Sequence, residues 1–95
     1  MSNNYSVRLL TTSEVPKEID VSEYPSGAWA TLLNGKIVAV CFEKEMAEAI
    51  ASNDLATDTI SLGEPRWLSL NMNGELIGYC LGSVLPKAKK LFGNQ

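Results

Sequence analysis

The side chains in this 95-residue chain that could do chemistry are two cysteines, a set of carboxylates and a late trio of lysines. Cys41 and Cys80 would form a redox pair, or a metal site if two copies shared them. Each lies near a small residue, Ala39 or Gly78, so burial as a small apolar side chain beside a helix explains them as well. Glu45 and Glu48 are three residues apart. On a helix they share a face, where they would hold a cation or work as an acid/base pair, or simply meet solvent. Asp54 and Asp58 flank a connector without the glycine and terminal glutamate of a calcium loop. Glu14, Glu18, Asp20 and Glu23 make the most acidic stretch. Such a run imitates nucleic-acid phosphates, docks in a basic groove, or keeps an edge strand from aggregating. Lys87, Lys89 and Lys90, with Arg66, would touch phosphate, although lysines late in a helix also suit its dipole.

What is missing narrows the chemistry. There is no histidine. That excludes Ser-His-Asp and Cys-His nucleophiles, the commonest general base, and zinc sites mixing cysteine with histidine. Two cysteines cannot build a four-cysteine site in one chain. Gly27, Gly35, Gly63 and Gly74 stand singly in turns, not in a phosphate-cradling loop. No enzymatic activity, metal or cofactor is therefore expected.

The bulk composition suits one small domain. Apolar residues make up 45 % of the chain, net charge is −3 and the isoelectric point is near 4.8. An acidic balance argues against a nucleic-acid partner, whose grip rests on cations. The charge is polarised: residues 1–64 carry four bases against ten acids, a net of −6, and residues 65–95 carry four bases against Glu75, a net of +3. Such a surface would steer a protein partner or a second copy. A core this small gains from a homodimer. MSNNYSVRLL does not read as a signal peptide, and no apolar run has the length of a membrane span, so no membrane is expected and the cytoplasm is the expected location.

The elements that would position these residues follow from patterning. Tyr5, Val7 and Leu9 alternate with polar residues, predicting a strand over 5–11. Ile19 and Val21 predict a short edge strand, and Ile60 and Leu62 another. Asn34-Gly35 lies between two apolar runs, Trp29–Leu33 and Lys36–Cys41, the pattern of a hairpin closed by a two-residue turn with positive φ at both positions. An unbulged hairpin would pair Leu33 with Lys36, Thr31 with Val38 and Trp29 with Val40, and would put Ala28, Ala30 and Leu32 on one face with Ile37, Ala39 and Cys41. Met46, Ala47, Ile50 and Ala51 make an apolar stripe over 43–53, a helix. Val84, Leu85, Ala88, Leu91 and Phe92 make another over 84–92.

The hairpin occurs twice. WATLLNGKIVAVC at 29–41 is answered by WLSLNMNGELIGYC at 67–80. Ile19-x-Val21-x-Glu23 matches Ile60-x-Leu62-x-Glu64, and Pro25 matches Pro65. Five positions separate Trp29 from Asn34, but six separate Trp67 from Asn73. The slip predicts that the two tryptophans take opposite faces unless a strand bulges. Trp67, beside Arg66 and Asn71, is the one expected at the surface.

The predicted fold class is α+β: an antiparallel sheet of about six to seven strands with two helices. It would arise from a tandem strand-strand-strand-helix duplication with pseudo-two-fold symmetry. One domain spans 1–95, with a leader strand at 5–11, repeat one at 19–53 and repeat two at 60–92. The predicted function is a small non-enzymatic protein–protein interaction module, an inhibitor, immunity or counter-defence protein that occupies a partner surface. Glu14, Glu18, Asp20, Glu23, Glu45, Glu48 and Trp67 would make the contact. The alternative is a nucleic-acid or nucleotide-binding accessory domain using Arg66, Lys87, Lys89, Lys90 and Trp67.

Overall fold

Both Asn-Gly pairs turn the chain in the same way. Asn34 and Asn73 have φ of +54° and +55°, and Gly35 and Gly74 have +84° and +77°, the left-handed values this turn needs and these residue types tolerate. In the computed structural model the described residues are 4–17, 19, 27–57, 59 and 66–93. The first turn joins β2 (Ala28–Leu33) to β3 (Lys36–Cys41), and the second joins β4 (Trp67–Met72) to β5 (Glu75–Leu81). With β1 (Tyr5–Leu10) they form a five-stranded antiparallel sheet in the order β1-β2-β3-β5-β4. Helices α1 (Lys44–Ser52) and α2 (Leu85–Gly93) each follow a hairpin. The fold is α+β.

The described residues hold five strands, not six or seven. Ile19, expected in an edge strand, is a buried residue of a bend whose N–H donates to the Pro16 carbonyl at 3.0 Å. The tight turn after Pro16 takes that donor away from any neighbouring strand. Val21, Ile60 and Leu62, which carried the other strand expectations, lie outside the described residues.

The register also departs from the unbulged hairpin. Thr31 pairs with Ala39 and Trp29 with Cys41, because Val38 is an extra residue between Ile37 and Ala39. Ile77 is likewise extra between Leu76 and Gly78 in β5. A bulge puts two residues against one and breaks alternation. Val38, Ala39 and Cys41 therefore all belong to the core beneath the helices, where the unbulged pairing put Ala39 and Cys41 on the face of Ala28, Ala30 and Leu32. Those three instead share the opposite face with Val40 and Ile37.

Burial follows from this geometry. Under the helices, Leu33, Val38, Leu70 and Cys80 pack with Ala47, Ile50, Val84 and Ala88. Ile50 is fully buried, which contributes on the order of 1.5–3 kcal/mol. Thr31 is the polar exception: its hydroxyl, buried in β2, donates to the Ala47 carbonyl at 2.7 Å and pins α1 to the sheet. On the other face Leu10, Ile19, Ala28, Ala30, Leu32 and Val40 form a second core, with Val15 packed against it. The two hairpins meet where β3 pairs β5 through Ala39–Cys80, Val40–Tyr79 and Cys41–Gly78.

Candidate functional site

Among the described residues, the helix layer borders an acidic notch and a basic cavity. At the start of α1, Phe42, Glu43 and Met46 face Glu75, Leu76 and Ile77 across a notch of about 190 Å³. The Phe42 N–H donates to the Ile77 carbonyl at 3.2 Å, which fixes the two walls. Two carboxylates over apolar sides suit a long basic side chain, which packs its stem while its charged head stays at the rim. The acidic character continues along the helix, where Glu43, Glu45 and Glu48 are exposed. Lys44 is aligned elsewhere, with its ammonium 5.6 Å from the centre of the Trp29 ring, a contact worth about 0.5–1 kcal/mol at an exposed site.

The second place lies past the end of α1. Asn53 and Leu55 face Lys87, Lys90 and Leu91 of α2 around a cavity of about 530 Å³. Asn53 closes α1, giving both its backbone and side-chain N–H to the Ala49 carbonyl. Asp54 then takes a left-handed φ of +53°. The chain is held there by Tyr5, whose hydroxyl donates to Asp54 Oδ1 at 2.5 Å and accepts from the Ala56 N–H at 3.1 Å. Burial, and then the bond to Asp54, push the Tyr5 phenol above its ordinary value. Asp54 thus braces the loop between β1 and the cavity. Sequence reasoning missed this pair because 49 positions separate its members.

The expected contact residues are scattered. Glu14 is committed to the fold. Its carboxylate meets Arg8 Nη2 at 2.6 Å and accepts from the Thr11 N–H and hydroxyl, each at 3.0 Å. The Arg8 bond, and then those from Thr11, lower its pKa to about 2. Glu18, Asp20 and Glu23 lie outside the described residues, as does Asp58. Glu45 and Glu48 share α1's exposed side. Trp67 is half-buried and packs against both cores, and it aligns by alternation with exposed Ser69 and Asn71. Leu70 and Met72, on the other face of β4, pack under the helices. Arg66 is exposed beside Trp67. Lys87 and Lys90, one turn apart, share the cavity rim; exposed Lys89 is not part of its lining. Neither Arg66 nor Trp67 is among the described residues that line this cavity.

Cys41 and Cys80 are buried free thiols. Burial pushes Cys41 up to about 12 and Cys80 higher still, with the nearby Cys41 adding to the rise. A buried neutral thiol is a poor nucleophile and metal ligand. Among the described residues no group of three or more cysteines and carboxylates is placed to hold a metal ion, and no helix is long and apolar enough to cross a membrane.

No protein family, curated protein or solved structure matches the chain.

Proposed function

We propose that this protein is a cytoplasmic, non-enzymatic interaction module that occupies the surface of a protein partner, as inhibitors and immunity or counter-defence proteins do. The observation that carries this reading is the acidic notch between α1 and β5. Glu43 and Glu75 ring an apolar slot, and Glu45 and Glu48 extend the same charge along a helix fixed from beneath by Thr31. A partner would insert an arginine or lysine there and lay a basic patch along α1. Arginine is the residue that most often anchors such contacts, and fixed charge on a rigid helix favours fast, salt-dependent association. The packing of Trp67 against both cores leaves less of its ring for a base to stack on, which weighs against the nucleic-acid alternative.

The proposal includes an origin by tandem duplication. In support, the bulges at Val38 and Ile77 are 39 positions apart, the same offset as Cys41 and Cys80. With that offset, the pair Ala39–Cys80 exchanges into Gly78–Cys41, and Val40–Tyr79 into itself. A two-fold axis through the last pair would produce this pattern.

The test is capture from an extract of the native host with a photocrosslinking residue at Glu48, beside the same chain carrying Glu43→Lys and Glu75→Lys. The reading expects one protein captured at low salt, lost at high salt and lost in the charge-reversed chain. Capture that ignores the reversal, or no specific capture, refutes it.

A further inference from the structure

We propose that the cavity between the end of α1 and α2 is a binding site for a small organic anion: a carboxylate or phosphate monoester on a short apolar body. Its volume, about 530 Å³, lies within the range of small-ligand sites, roughly 300–1,000 Å³. Its lining is divided as such a ligand requires. Leu55, buried, and Leu91, half-buried, supply apolar wall. Lys87 and Lys90 supply two ammonium groups from successive turns of one helix face, and Asn53 stands opposite. Among the described residues the lining has no carboxylate, and Lys90 makes no ion pair. The Lys90 ammonium, exposed at the rim, would meet the anionic end of such a ligand.

The walls are held from outside the cavity. Asn53 is fixed to Ala49, and the chain on either side of Leu55 is fixed by Tyr5 through Asp54 and Ala56. The loop side is therefore in place before a ligand arrives, which lowers the ordering cost of binding. The described lining holds no aromatic ring for a base to stack on and no glycine-rich cradle. A nucleotide is thus a poorer fit than a short-chain anion. The site is separate from the acidic notch, shares no residue with it, and stands whether or not a protein partner binds there.

The experiment titrates the full ¹⁵N-labelled chain with octanoate and octyl phosphate. Octanol, octylamine and inorganic phosphate serve as comparisons. Saturable shifts at the amides of Asn53, Leu55 and residues 87–91 are expected for the two amphipathic anions. Lys90→Glu replaces an attractive charge with a repulsive one on an exposed position, and is expected to weaken them by about tenfold or more. Lys90→Gln, read in parallel, should weaken binding less and preserves the result if the glutamate variant loses spectral dispersion. Octanol binding as tightly as octanoate would overturn the anion requirement, and inorganic phosphate binding as tightly would overturn the apolar one. Shifts confined to other amides, or affinity unchanged in both Lys90 variants, would overturn the site itself.

Discussion

Replacing Gly78 with alanine tests how closely the two hairpins meet. Gly78 pairs with Cys41 at the junction of β3 and β5, and its φ is not in the left-handed region. The backbone there accepts any residue, so the effect of a substitution is one of space. A Cβ at Gly78 would stand 2.6 Å from the Val40 carbonyl oxygen and 3.1 Å from Cys41 Cα. Both are backbone atoms of a central strand, so no side-chain rotation relieves the clash and β3 must move relative to β5. Overpacking of this kind costs about 1–3 kcal/mol. The stiffer unfolded chain offsets about 0.4–1 kcal/mol of it. The net expectation is a loss of about 1–2 kcal/mol, which in a domain of this size lowers the melting temperature by roughly 5–15 °C. Denaturant unfolding with an unchanged slope would report that stability, and not compactness, had changed. Gly35→Ala supplies the contrast, since nothing lies within 4 Å of its Cβ but its φ is +84°. A Gly78→Ala protein within about 0.5 kcal/mol of the parent, or more stable than it, would refute the close approach.

Two further outcomes follow from the titrating groups. Glu14 has a folded pKa of about 2 against an ordinary 4.5, so the unfolded chain takes up this proton first as pH falls. Its stabilising effect is fully present above about pH 4.5 and is lost as pH drops towards about 2; acid titrations of Arg8→Gln and Glu14→Gln should show a flatter decline across that window than the parent. Cys41 and Cys80 should react with an aromatic disulfide at pH 8 only through opening of the structure, at least about a thousandfold more slowly than in denaturant, and labelling within seconds of mixing would contradict their burial.

The local signals in the sequence were the reliable ones. Asn34-Gly35 and Asn73-Gly74 announce their turns because few residues accept positive φ, and the apolar stripes through Ile50 and Ala88 announce both helices. The register was not legible. Val38 and Ile77 are ordinary β-branched strand residues, and nothing local marks them as extra. They become so only when the helices cover one face and Val38 and Ala39 must both turn to it. Local composition also misled at Glu14, which reads as one acid among several, while Arg8 and Thr11 close around it. The acidic notch needed two segments more than 25 residues apart, Glu43–Met46 and Glu75–Ile77, to meet across the β3–β5 junction. The extra residue between Trp67 and Asn73 pointed to an exposed Trp67, yet Trp29 and Trp67 are both half-buried and both pack against the core beneath the helices.

The junction of the hairpins also bears on how the protein would be built and exchanged. Each hairpin closes over a two-residue turn and needs little loop entropy to form, on the order of microseconds. The β3–β5 pairing spans only Ala39–Cys80 to Cys41–Gly78 and links segments about 40 residues apart, so its contacts are the slow ones. Opening it leaves both hairpins whole. The 42–66 segment between them is long enough to reach across to another copy, whose β5 would offer β3 the same hydrogen bonds and the same space beside Gly78. A swapped dimer would then repeat the contacts of the monomer, and concentration and the entropy of the connecting segment would decide between the two.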